Sequence, residues 1–201
     1  MLHIIDDALP KDLLAQLRSL CDHHAALKSN YKEKLFFSWQ PNNGPSQSLH
    51  PQDDRLIIER YLSDYLYIIT NQFVSEQAGA EWWCNTNNDL NWHIDRDEAE
   101  AIHSGSYLLP LLSTVFYPHV SCAGGELLIA DNTPIRSDHQ GPLPSFRSVI
   151  SVPPVINRLV IFSPGILHRI NPFEGERYSV AVNIWEQAPR MFTTAASWLP
   201  A

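Results

Sequence analysis

The chain has 201 residues, 44 % of them hydrophobic and 18 % charged, with a formal net charge of −8. That length suits one domain with a substantial core, and the composition excludes a disordered polymer. All four Lys lie between positions 11 and 34, so no basic stripe runs down the rest of the chain, which argues against a protein that grips nucleic acid by its phosphates.

The opening Met1-Leu2-His3-Ile4-Ile5-Asp6-Asp7 has no basic region ahead of an apolar stretch, so no secretory signal is expected. No apolar run approaches the ~20 residues of a membrane span. Cys21, Cys84 and Cys122 are odd in number and widely spaced. They read as reduced thiols of a cytoplasmic protein rather than a disulfide framework.

In chain order, His3 to Asp6 predicts a short strand, and Ala8-Leu9-Pro10 leads into a helix with Leu13, Leu14, Leu17, Leu20 and Cys21 at helical spacing. Residues 26–54 are mixed, with Asn42-Asn43-Gly44-Pro45 as a loop. From about Asp54 to Glu76, residues Ile57, Ile58, Tyr61, Leu62, Tyr65, Ile68, Ile69 and Phe73 form a broad apolar helix face. Beyond residue 80, short apolar or alternating runs at 81–84, 89–95, 106–117, 125–130, 147–152, 158–163 and 177–185 are separated by Gly, Pro, Asn and Asp. Strands at that spacing predict a mainly β sandwich or jelly roll. The expected organisation is a single domain, 1–201, in which a helical part over about 1–80 supports a β core over about 81–188.

On a strand His93 and Asp95 would share a face with Asn91, and His168 follows the apolar strand Val160-Ile161-Phe162 and its Pro164-Gly165 turn. Two imidazoles and one carboxylate, without a thiolate, suit non-haem Fe(II) with open positions for O2. After His168, a turn through Pro172-Phe173-Glu174-Gly175 leads to Arg177, which a near-symmetric hairpin would set opposite His168. Arg177, Ser179, Ala181 and Asn183 alternate with Tyr178, Val180, Val182 and Ile184. An Arg in an apolar strand needs an anion, either a structural carboxylate or a ligand carboxylate held with help from Ser179.

His93-x-Asp95, His168 and Arg177-x-Ser179 together resemble the Fe(II)/2-oxoglutarate-dependent oxygenases of the prolyl 4-hydroxylase-like branch. Gly124-Gly125-Glu126-Leu127 resembles the turn and strand those proteins place between the two metal-binding strands, and Ser113-Thr114-Val115-Phe116-Tyr117 the strand that brings a tyrosine to the co-substrate. Ile4-Ile5-Asp6-Asp7-Ala8-Leu9-Pro10 is similar to their strand-to-helix start. The resemblance implies a double-stranded β-helix in which His93, Asp95 and His168 ligate iron. It also implies that Arg177, with Tyr117 and Ser179, takes the distal carboxylate of 2-oxoglutarate.

The implied reaction hydroxylates a C–H bond of a protein side chain or small molecule, with O2 consumed, succinate and CO2 released, and ascorbate a further candidate reductant. Trp82-Trp83-Cys84-Asn85-Thr86-Asn87-Asn88 matches no substrate loop of that branch, so hydroxylation of proline does not transfer with it. Trp82 and Trp83 are core residues or a substrate wall, and the 131–145 segment is a lid or a solvated connection. Two rival readings keep the same residues: a sensor that binds 2-oxoglutarate without oxidation, and a cupin-like zinc or manganese enzyme in which Arg177 is a structural ion pair.

Overall fold

The computed structural model describes residues 1–23, 37–39, 54–85, 90–139 and 141–187. The mixed region 26–54, including Asn42-Asn43-Gly44-Pro45, falls largely outside them, as do Thr86, Asn87 and Asn88. In chain order the first strands are β1 (Leu2–Ile5), β2 (Phe37–Trp39), β3 (Gly79–Asn85), β4 (Leu90–His93) and β5 (Leu112–Gly124). The rest are β6 (Leu127–Ala130), β7 (Val149–Val152), β8 (Arg158–Phe162), β9 (His168–Ile170) and β10 (Phe173–Trp185). They form two antiparallel sheets, one in the order β1-β8-β5-β10-β3-β2 and one in the order β4-β9-β6-β7. Face to face, these make the expected mainly β double-stranded helix.

The outer face of the six-stranded sheet is closed by helices. Helix α1 (Lys11–His23) follows Pro10, whose carbonyl accepts the N–H of Leu14, and carries Asp12 in its first turn, where an acid suits the dipole. It buries Leu13, Leu17, Leu20 and Cys21. Helix α2 runs through Asp54–Arg60, a π-type stretch over Tyr61–Leu66, and Tyr67–Thr70. It ends before the expected Glu76, in the turn where Phe73 and Val74 donate to Thr70 O. Ile58, Tyr61, Leu62 and Leu66 of α2 pack with α1 on Trp82, Phe116, Val180, Val182 and Ile184 of the sheet. Each such buried side chain contributes roughly 1.5–3 kcal/mol. No described helix is long and apolar enough to cross a membrane.

Between the sheets lies a second core of Val115, Leu127, Ile129, Val152, Val160, Phe162, Ile170 and Phe173, with Tyr117 at 0 % exposure. Strand β5 starts later than expected, at Leu112 after Pro110, and runs on through Pro118 to Gly124. Pro118 has no N–H for the ladder, and the register with β10 shifts there, two residues of β5 opposing Ser179. Tyr117 therefore faces inward before the bulge, and Val120 and Cys122 face inward after it.

Two expectations about the strands need correction. The run 89–95 forms a strand only to His93, so Asp95 lies beyond the strand end and Asn91 is exposed. Nor do His168 and Arg177 face each other across a hairpin. The chain changes sheets at Asn171-Pro172, so His168 pairs with His93 and Ile129, whereas Arg177 pairs with Val120 of β5.

Candidate metal and co-substrate site

His93 and His168 are direct cross-strand partners on β4 and β9, with ring centroids 4.3 Å apart. Each ring is set by its own backbone. His93 Nδ1 lies 2.8 Å from the carbonyl of Asn91, and His168 Nδ1 lies 3.0 Å from that of Ile166. A carbonyl only accepts, so both Nδ1 atoms carry a hydrogen, and in the neutral ring the lone pair sits on Nε2. Those Nε2 atoms face one carboxylate oxygen, Asp95 Oδ1, at 3.9 Å from His93 and 3.6 Å from His168.

Three ligand atoms thus converge within 4.8 Å of one another. Bonds of about 2.1 Å at right angles would put neighbouring ligand atoms about 3.0 Å apart, so a metal ion asks for an inward shift of under ~1 Å. The donor set fits a divalent ion of Fe(II) type, with no thiolate to select zinc. Burial alone would raise the Asp95 carboxyl, but His168 and then His93 outweigh it and hold Asp95 at about 2. His168 moves up from its ordinary value, because Asp95 more than offsets the effect of burial.

The approach to His168 is held by Asn132, 4 % exposed, which accepts from Leu167 N–H at 2.8 Å and donates to Gly165 O at 3.2 Å. Sequence reading passes over Asn132, since a buried Asn in a polar segment has no local signature. It also passes over helix α3 (Glu98–Ser104). There Asp97 accepts from Glu100 N–H at 2.9 Å and Gly105 closes the helix at φ 74°. The Asp97-x-x-Glu100 pattern of an N-terminal cap was the available signal.

Along the inner face of β10, Arg177 is 1 % exposed. Its Nη1 donates to Gly125 O at 2.9 Å, while Nε and Nη2 are buried and have no partner. Among the described residues no carboxylate pairs with it, and burial lowers its pKa. The guanidinium lies 5.1 Å from the ring centroid of Phe173 and 5.6 Å from that of Tyr117. The Tyr117 hydroxyl is likewise buried and unpartnered, and burial pushes it up to about 12 against the pull of Arg177.

Gly124 and Gly125, at φ 87° and 78°, make this packing possible. A Cβ on Gly124 would lie 2.5 Å from Pro172 O, and one on Gly125 would lie 3.3 Å from Arg177 Cδ. Ser179, next on the row, donates its proton to Asn85 O at 3.1 Å.

A cavity of about 180 Å³ adjoins the His93, Asp95 and His168 group. Its opposite wall is the inner row of β3, Glu81, Trp83 and Asn85, beside Ser179, Ala181 and Asn183 of β10. Trp83 is therefore a cavity wall, whereas Trp82 faces the helices and belongs to the outer core. Arg177 and Tyr117 are buried deeper along the same inner faces.

The sequence profile of the 2OG-Fe(II) oxygenase superfamily matches residues 81–185, and the chain belongs to that superfamily. It is an oxygenase, and the family implies Fe(II) and 2-oxoglutarate. Known structures share the fold. A prolyl-4-hydroxylase from Pseudomonas putida superposes with a TM-score of 0.58 at 18 % identity, over 93 % of this chain and 88 % of the other. A Trichoplax adhaerens prolyl hydroxylase, solved with a hypoxia inducible factor oxygen degradation domain peptide fragment, gives 0.54 at 14 % identity, over 96 % and 87 %. AviO1 from Streptomyces viridochromogenes Tue57 gives 0.58 at 15 % identity, over 94 % and 91 %. No curated protein sequence matches the chain.

Proposed function

We propose that this chain is a 2-oxoglutarate-dependent hydroxylase in which His93, Asp95 and His168 hold Fe(II). Arg177 and Tyr117 would take the distal carboxylate of 2-oxoglutarate, with Ser179 beside them. The observation that carries this reading is Arg177, a buried guanidinium with two unpartnered nitrogens next to an unpartnered buried phenol. Leaving such groups unpaired is costly, and a ligand carboxylate satisfies both. A structural ion pair, which a cupin-like enzyme would need there, has no carboxylate to form it among the described residues.

The chain's own residues prepare the site. The carbonyls of Asn91 and Ile166 hold both imidazoles in the tautomer that presents Nε2, and Asp95 stays ionised. Arg177 and Tyr117 orient an anion from the far end, and the apolar core between the sheets keeps bulk water away from it. Bound there, Fe(II) and 2-oxoglutarate supply the oxidation of a C–H bond by O2, with succinate and CO2 released. Ser179 donates its proton to Asn85 O, so it would donate to a ligand carboxylate only by turning away from that carbonyl.

We read residues 1–201 as one domain in which the helices of the first ~80 residues stiffen the sheet that carries Arg177. Its three unpaired thiols suit the cytoplasm, and ascorbate is a candidate reductant for the iron. Anaerobic titration of the Fe(II)-loaded protein with 2-oxoglutarate should raise a visible charge-transfer band. Admitting O2 should then bleach the band with succinate formation. A stable band without succinate in the presence of mixed candidate substrates would favour the sensor, and no band at all with Fe(II) bound would remove 2-oxoglutarate from the account.

A further inference from the structure

Beneath the two imidazoles, strand β5 sets one hydroxyl on the inner face of the large sheet. Ser113 pairs in register with Asn183 of β10 on one side and with Phe162 of β8 on the other. Asn183 lines the cavity together with Asp95, and the Phe162 ring centroid lies 4.8 Å from that of His168. Residues directly opposite on paired strands share a face, so Ser113 points inward between these two, under His168 and Asp95. It is 1 % exposed, and its Oγ completes no well-aligned hydrogen bond among the described residues. A buried hydroxyl in that state costs stability, and an Ala would fill the position without the cost. The group Ser113 does reach is Asp95. Against burial, the Asp95 carboxyl is held down by His168, then by His93, and lastly by the Ser113 hydroxyl. Both imidazoles address the same oxygen, Asp95 Oδ1, so Oδ2 is the acceptor left over.

We infer that Ser113 is a positioning residue for the metal ligand Asp95: its hydroxyl donates to Asp95 Oδ2 and so keeps Oδ1 turned toward the imidazoles. The inference rests on the oxygenase reading above, since it takes His93, Asp95 and His168 as the ligand set. The two imidazoles are each fixed by a backbone carbonyl, whereas Asp95 lies beyond the end of β4, where no ladder fixes its side chain. Ser113 supplies the missing restraint from the opposite sheet. A ligand held in place before the ion arrives loses less freedom on binding it. An inward shift of under ~1 Å, the size the ligand atoms require, also turns a near approach by the hydroxyl into a full hydrogen bond.

The probe is Co(II), whose visible band reports the arrangement of ligands around it. It is bound to the wild type, Ser113→Ala, Asp95→Ala and the double variant, all without 2-oxoglutarate. Ser113→Ala removes a hydroxyl and little volume, so the metal-free protein should melt no lower than the wild type. Equilibrium dialysis should show Co(II) held about tenfold more weakly or worse by Ser113→Ala, the lower end of what loss of such a support costs. In the Asp95→Ala background the same change should alter Co(II) affinity by less than about twofold, because Ser113 acts only through the carboxylate. The visible band of Co(II) in Ser113→Ala should differ from that of the wild type, as the freed carboxylate takes another angle. A smaller loss of affinity, a loss that persists without Asp95, an unchanged band or a lowered melt would each overturn the inference. Wild-type protein that binds no Co(II), or Asp95→Ala that binds it as tightly as the wild type, would strike the oxygenase reading and this inference with it.

Discussion

The two faces of the six-stranded sheet are built from the same strands and end in different states. On the outer face Val180, Val182 and Ile184 are packed against α1 and α2. On the inner face, Arg177, Asn183 and Tyr117 are just as buried but leave polar atoms unpartnered among the described residues. One face is largely finished by the protein itself, with the Tyr61 hydroxyl and His119 Nδ1 the buried unpartnered polar atoms on that side among the described residues. The other is left for something that binds, and native proteins rarely tolerate such groups without that reason.

Substitutions on the inner side should therefore cost binding and leave the fold in place. Asp95→Ala removes the only carboxylate of the convergent group, and its effect should be the largest. Fe(II) affinity should fall by more than about 100-fold, since loss of a mere outer-shell partner already costs 10–100-fold. Equilibrium dialysis reads the loss, and an unchanged thermal melt of the metal-free protein would show the fold intact. Arg177→Met comes next. Losing a charge-assisted contact of about 3 kcal/mol should weaken 2-oxoglutarate by about 100-fold. The ligand-free protein should be no less stable, because a buried charge without a counter-ion is removed. A clear drop in Tm would mean that Arg177 is structural, and the contrast between the faces would collapse.

The outer face should answer in the opposite way. Leu17 is 0 % exposed, and Leu17→Ala leaves a cavity under α1 that should cost about 2–5 kcal/mol in denaturant unfolding. Affinity for 2-oxoglutarate, measured well below the lowered Tm, should stay within about twofold of the wild type, because sites without shared partners act independently.

This division was partly legible in the sequence. Period-two alternation along 177–184 sorts the residues of β10 between the two faces correctly, because a long strand has no freedom to change it. The same rule separates Trp83 from Trp82, but only once Cys84 and Ala80 are recognised as core. Asp95 converges with His93 and His168, but not by sharing a strand face with His93. The strand stops at His93, and the chain turns before Asp95 meets the imidazoles. The partner of Arg177 was misread because strand pairing is long-range. Nothing local in Asn171-Pro172 tells that the chain leaves one sheet for the other, whereas a hairpin is the shortest path the sequence suggests. Asn132 escaped notice for a similar reason, its bonds to Gly165 and Leu167 spanning more than thirty positions.

The smallest predicted effect tests whether the long connection from β6 to β7 belongs to the site or to the frame. Asp131 closes its base, accepting from Arg147 N–H at 2.8 Å, from Ser148 N–H at 3.1 Å and from the Ser148 hydroxyl at 2.8 Å. The Ser148 N–H foremost, then that of Arg147, holds the Asp131 carboxyl below its ordinary range. A depressed folded-state pKa means that the stabilisation is fully present above the unfolded value of 3.8 and is lost as pH falls through the folded one. Hydrogen exchange at the Arg147 and Ser148 amides, corrected for intrinsic rates, should lose protection in that acidic window. Asp131→Asn should abolish the pH step and leave 2-oxoglutarate affinity at neutral pH unchanged, because the closure acts on the base of the loop. If the substitution instead weakens 2-oxoglutarate, the segment is coupled to the cavity through Asn132, and frame and site are one unit on that side of the barrel.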